Sequence, residues 1–142
     1  MYPNIRIYSE YFDSDALGFR IMEIVAESHS VRISSRKVRL VADVIRNKSV
    51  AQALNALTLI KKRGAAPLYK TLKSAIANAI NNAKVKQDLL FIKSIDVDQG
   101  PFIKRFRPST RGRVHPYKKR SSHIKIVLTD EKVKSSKSKV KS

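Results

Sequence analysis

LLFIKSIDVDQGPFIKRFRPSTRGRVHPYKKRSSHIKIVLT, residues 89–129, is the stretch on which the fold turns. Its two ends, LLFIKSIDVD (89–98) and SSHIKIVLT (121–129), alternate apolar and polar residues as half-buried strands do. Phe91, Ile95 and Val97 share one face of the first, with Lys93 the exception. Ile124, Ile126 and Leu128 alternate with His123, Lys125 and Thr129 in the second. Between them, residues 101–120 carry eight Lys or Arg, no acid, and the rings of Phe102, Phe106 and Tyr117. Most hairpin loops are short, so twenty residues without an apolar period form an arm rather than a turn. Pro101, Pro108 and Pro116 stiffen it and remove ladder donors, so it is not a regular sheet throughout. Its like charges repel until an anion neutralises them, which marks the arm as the functional part and nucleic acid as its partner.

The rest of the chain agrees. At 142 residues there is room for one core. The net charge is +19, with 30 Lys and Arg against 11 Asp and Glu, and it is unevenly placed. Residues 1–30 carry two Arg against five acids, whereas residues 31–142 carry 28 basic and six acidic residues. Such a field favours a polyphosphate over an acidic membrane or protein surface. The chain has no Cys, which excludes disulfides and Cys-based zinc sites. No apolar run reaches a membrane span's length, and the first twenty residues lack a signal peptide's apolar stretch, so a soluble intracellular protein is expected.

Residues 1–20 show no sustained period and read as an extension. Residues 21–27 (IMEIVAE) alternate, with Met22, Ile24 and Ala26 on one face of a strand. Ser34 or Ser35 would cap a helix running to about Asn47, with Val38, Val41, Ala42 and Ile45 as its apolar stripe. Ser49-x-x-Gln52 has the form of a capping box and opens a second helix on Val50, Ala53, Leu54 and Leu57. Pro67 suits the first turn of a third, in which Leu68, Leu72, Ile76 and Ile80 recur every four residues beside Ala75 and Ala79. Lys70, Lys73, Asn78, Asn81 and Asn82 take its outer side. The tail, residues 131–142, is Lys and Ser with nothing to fill a core and reads as disordered. The expected fold is therefore α+β: one domain over 21–130, a three-stranded, mainly antiparallel sheet on three helices, with a long basic β-hairpin arm over 97–122.

Catalysis finds no support. His29, His115 and His123 lack metal-ligand partners at suitable spacing, and no phosphate-cradling glycine motif occurs, so neither metal nor cofactor is expected. Asp96 and Asp98 share a strand face but precede the Gly100-Pro101 turn as ordinary exposed carboxylates would. The basic groups are the better candidates. Arg36, Lys37 and Arg39 crowd a helix's first turns, where the positive dipole end disfavours cations unless an anion sits nearby. Arg32, Lys61, Lys62, Arg63, Lys70 and Lys73 extend that surface. Arg107, Arg111, Arg113, Lys118, Lys119 and Arg120 belong to the arm, where Arg is suited to bidentate phosphate contact. The arm's three aromatic rings could stack on unpaired bases or pack within the arm itself.

Three motifs in order, RKVRLVAD (36–43), SAIANA (74–79) and GPFIKRFRP (100–108) followed by KRSSHI (119–124), resemble the large-subunit ribosomal protein twenty-two family. The resemblance covers about residues 22–130. It implies a structural, non-enzymatic constituent of the large ribosomal subunit that binds its ribosomal RNA, assists assembly and lies beside neighbouring ribosomal proteins as a monomer. It also implies a hairpin lining the nascent-peptide exit tunnel, with a tip near the macrolide site and in contact with the nascent peptide. On this chain the tip maps to Gly100–Gly112, with Ile103, Lys104 and Arg105 at the constriction. Ile103 departs from the Met frequent there, and residues 1–20 and 131–142 depart from the short bacterial pattern. The resemblance implies a cytoplasmic ribosome and leaves an organellar one open. An architectural DNA-binding protein with a β-ribbon arm is the alternative reading of the same charge pattern.

Overall fold

The computed structural model describes residues 23–130. The expected extension over 1–20, the Lys/Ser tail and the Met22 end of the first strand lie outside the described residues. In chain order the elements are β1 (Glu23–Val31), α1 (Ser35–Ile45), α2 (Val50–Leu59), α3 (Ala65–Asn78), β2 (Phe91–Gln99), β3 (Ile103–Pro108), β4 (Val114–Lys119) and β5 (Ser122–Thr129). β1, β5 and β2 form an antiparallel sheet with β5 central, and β3 and β4 form a separate two-stranded antiparallel sheet. The α+β class follows from these elements, with the three helices packed against the larger sheet.

The helices form where their apolar stripes demand. Val38, Val41, Ala42 and Ile45 of α1 are all buried, as are Val50, Ala53 and Leu57 of α2, while Leu54 is half-buried. Ser49 Oγ accepts from the Gln52 amide at 3.4 Å, the first half of the capping box. Ser34 stands at the N-cap of α1 but makes no side-chain cap, contrary to expectation. On α3, Leu68, Leu72, Ala75 and Ile76 enter the core. Each Val, Leu or Ile among them, fully buried, is worth about 1.5–3 kcal/mol.

Three expectations need correction. Ile80 is 46% exposed, not buried. A four-residue repeat on a helix of 3.6 residues per turn drifts about 40° per step, so by the third step it has left the core face. The backbone also loosens there into a π-helical turn, Ala79–Ala83, closed by Lys84 at φ 53°. Asn78, expected outside, is half-buried, and its amide nitrogen has no partner among the described residues. In β2 the buried face is Ile92, Ile95 and Val97, not Phe91, Ile95 and Val97. Ile92 pairs with Leu128 and Ser94 with Val127, so Lys93 is an extra, bulged residue that resets the alternation.

Gly100 joins the two sheets. Its amide donates to the Ser121 carbonyl at 3.1 Å, and the Ser121 hydroxyl donates to the Pro101 carbonyl. A side chain at position 100 would stand 2.6 Å from Ser121 Oγ, so the close approach requires glycine. No helix among the described residues is long and apolar enough to cross a membrane.

Candidate nucleic-acid interface

Between β2 and β5, β3 and β4 pair more regularly than the prolines of this segment implied. Six residue pairs register β3 on β4, from Ile103↔Lys119 to Pro108↔Val114. The chain reverses at Ser109–Arg113, where the Ser109 amide donates to the Arg113 carbonyl at 2.8 Å and Arg111 and Gly112 both take positive φ. Ile103, Lys104 and Arg105 are therefore not at the tip. They open β3 and pair with Lys119, Lys118 and Tyr117 at the end nearest the larger sheet.

All residues from 101 to 120 are exposed, so the alternation of β3 and β4 separates two solvent-facing surfaces. Directly opposed residues share a face. One face carries Phe106, Pro116, Pro108 and Val114 toward the reversal, with Lys104 and Lys118 behind them. Lys118 Nζ sits 4.6 Å from the Phe102 ring centroid on that side, a cation–π contact. The other face carries Arg105, Arg107, His115, Tyr117, Lys119 and Ile103. The sequence contained this division, but it is invisible until the pairing register is known.

On the larger unit the predicted cations gather into a band. A cleft of about 490 Å³ is bordered by Lys61, Lys62, Arg63 and Lys70. Beside it a second, of about 710 Å³, runs between α1 and the α2–α3 connection and is bordered by Arg32, Lys37, Lys62 and Arg63. A third, of about 170 Å³, has Arg32, Lys119 and Arg120 on its walls with Pro101 and Ile103. Arg32 lines two clefts and so links the helical surface to the start of the two-stranded sheet. Arg36 and Lys73 are exposed on α1 and α3 outside these clefts, and Arg107, Arg111, Arg113 and Lys118 lie along the two-stranded sheet.

The ion pairs leave this band alone. Among the described residues, carboxylates engage Arg46 (Asp43, 3.1 Å), Lys125 (Glu27, 3.6 Å), Lys93 (Glu23) and His29 (Glu27, 3.2 Å). None of these belongs to the predicted binding set. Arg39 does belong to it, yet it is bound within the fold: its Nε and Nη2 donate to the Val97 carbonyl at 2.9 and 2.7 Å. Sequence reasoning missed this role because a third basic residue near a helix start looks like the two before it. It also missed Leu40 and Val44, which are 71% and 46% exposed on α1 beside the larger cleft. Their spacing of four was the available signal.

The structure also brings together two histidines read as isolated. His29 Nδ1 lies 3.3 Å from His123 Nδ1, which accepts from the Ser30 amide at 3.2 Å. Among the described residues no three metal-binding side chains converge.

A model of the family described as ribosomal protein L22p/L17e matches residues 26–129, which hold both sheets' strands almost entire and all three helices. The chain belongs to this family. A large ribosomal subunit protein uL22 from Mesoplasma florum is 52% identical over 112 residues, covering 79% of this chain and all of the relative. The uL22 protein of Thermus thermophilus is 49% identical over 110 residues, 78% of this chain and 97% of its own length. That of Caldicellulosiruptor saccharolyticus is 53% identical over 98 residues, 69% of this chain and 80% of its own. The family is one of structural proteins of the large ribosomal subunit, not of enzymes, and its bacterial-type members fit a cytoplasmic ribosome. The alternative of an architectural DNA-binding protein gives way to this membership.

Proposed function

We propose that the chain holds its place in the large ribosomal subunit by gripping ribosomal RNA along the cationic band, and that β3 and β4 form a long basic hairpin arm lining the nascent-peptide tunnel. The observation that carries this is the continuity of cations, without carboxylate partners among the described residues, from Lys70 through Lys62, Arg63, Lys37 and Arg32 to Arg120 and Lys119. Exposed cations spaced along adjoining clefts match a folded phosphate backbone, whose condensed counterions they release on contact. Ser34 leaves α1 without a side-chain cap, so the first-turn amides and the exposed Arg36 and Lys37 complement an anion there. The Arg-rich face of β3 and β4, with Arg105 and Arg107, suits bidentate phosphate contact. The opposite face, with Phe106, Pro116, Pro108 and Val114, suits the passing nascent peptide or an unstacked base. Ile103, Lys104 and Arg105 line the tunnel from the root of the arm. Neighbouring ribosomal proteins complete the surroundings, and the chain acts as a monomer.

The test is a matched pair of double variants binding a large-subunit ribosomal RNA fragment. Lys62→Ala with Arg63→Ala should weaken binding strongly, whereas Lys93→Ala with Lys125→Ala, which removes the same charge from ion-paired positions, should weaken it little. Equal losses would mean that total charge, not the band, governs binding.

A further inference from the structure

We infer that the acidic, aromatic segment of residues 8–19 docks, in the free protein, into the cleft between α1 and the α2–α3 connection. The cleft combines the apolar side chains Leu40, Val44 and Ile60 with the cations Arg32, Lys37, Lys62 and Arg63. Leu40 is 71% and Val44 46% exposed, and exposed apolar surface mixed with cations in this way favours an occupant that is both apolar and negative. Bare phosphate offers only the charge.

The chain supplies such an occupant. Residues 8–19, YSEYFDSDALGF, hold Glu10, Asp13 and Asp15 and no Lys or Arg, and they hold four aromatic rings. Half of the chain's ten aromatic residues precede position 20, although the family match begins only at residue 26. These rings and acids therefore lie outside what the family model describes. Reach is sufficient. β1 is nine residues long, about 30 Å at ~3.3 Å per residue, and its far end leads to Arg32 and the cleft. The residues between Phe12 and Glu23 span about 36 Å when extended, enough to return along that length. Bound there, the segment covers Arg32, Lys37 and Lys62 with its own carboxylates. Ribosomal RNA must then displace it, which makes the segment a competitive shield against unspecific polyanions before assembly.

The full chain has no Cys, so a single Ser14→Cys substitution takes one nitroxide label cleanly. Docking predicts selective loss of the Leu40, Val44 and Ile60 methyl signals in the intact labelled protein, while Val114 and Ile80 keep theirs. Adding Glu10→Lys, Asp13→Lys and Asp15→Lys should restore the lost signals and, without the label, raise affinity for a short polyanion severalfold at low salt. Leu40→Ser in the labelled chain should restore the Val44 and Ile60 signals without any charge change. Signals that survive in the labelled chain overturn the inference. So do signals that stay lost after charge reversal. Losses seen only when spin-labelled and isotope-labelled chains are mixed would assign the cleft to a second copy and overturn it equally.

Discussion

Arg39 on α1 donates two hydrogen bonds to a single acceptor, the carbonyl of Val97 on β2, at 2.9 and 2.7 Å. Seven residues on, at the C-cap of α1, Arg46 Nη2 donates to the carbonyl of Ile95 at 3.1 Å. β2 is an edge of the three-stranded sheet, and Ile95 and Val97, two residues apart, present their carbonyls to the same side. The two arginines thus close an edge that would otherwise offer free acceptors to another strand.

That geometry separates three cations that look alike in sequence. Hydrogen bonds to charged groups contribute about 1.5–3 kcal/mol, and the Arg39 bonds are part-buried although the residue, like Arg36 and Lys37, is exposed. Arg39→Ala should therefore lower stability by about 1–2 kcal/mol, and Arg39→Lys should recover only part because a point charge cannot reproduce the fork. Arg36→Ala and Lys37→Ala, at exposed positions, should each stay within about 0.5 kcal/mol. Urea denaturation of the three single variants measures this; equal effects from all three would refute the tie to β2. The same substitution should also weaken RNA binding less, relative to its cost in stability, than Lys37→Ala does.

A band that grips RNA through phosphate predicts a strong salt dependence. If about six to ten band cations contact phosphate, affinity for a ribosomal RNA fragment should fall about 10³-fold or more between about 50 and 200 mM salt. The Lys62→Ala, Arg63→Ala pair should reduce the slope of log affinity against log salt by about two units at most. Filter binding across a salt series reads both. A flat response would show that apolar contacts, not the band, hold the RNA.

Much of the fold was legible because helix stripes are local: Val38, Val41, Ala42 and Ile45 announce their burial by spacing alone. What was not legible depended on a partner element. The bulge at Lys93 exists only against the register of β5, and the bond from Arg39 exists only once α1 lies on β2. The candidate cations were readable as a class, whereas their order into a band through Arg32 required the clefts to be seen.

Ile80 and Ile126 test that distinction energetically. Both sat on apolar periods in the sequence, but Ile126 is fully buried on the central strand and Ile80 is 46% exposed. Ile126→Ala should cost about 2–5 kcal/mol through lost burial and the cavity left behind. Ile80→Ala should cost under about 1 kcal/mol. Thermal or chemical unfolding of the two variants decides it, and comparable losses would mean that the turn over Ala79–Ala83 buries more than its geometry indicates.

The two faces of β3 and β4 permit a sharper test of the tunnel reading. Side chains alternate across a strand, so deleting an odd number of residues exchanges its faces, while deleting an even number keeps them. Removing Ile103, Lys104 and Arg105 puts Phe106 where Ile103 was, on the Arg-bearing face, and moves Arg107 to the opposite one. Removing only Lys104 and Arg105 leaves Phe106 on its own face. Either deletion takes away two of the chain's 30 basic residues, so the long-range field barely changes. Both variants should therefore enter large subunits. The three-residue deletion should alter stalling by nascent peptides and sensitivity to tunnel-binding macrolides more than the two-residue deletion does, because it inverts what the tunnel sees. Purified subunits carrying each variant, compared in a stalling assay, supply the measurement. If the two deletions act alike, arm length and not the facing side chains is what the tunnel reads. If neither changes stalling or drug response, β3 does not line the tunnel.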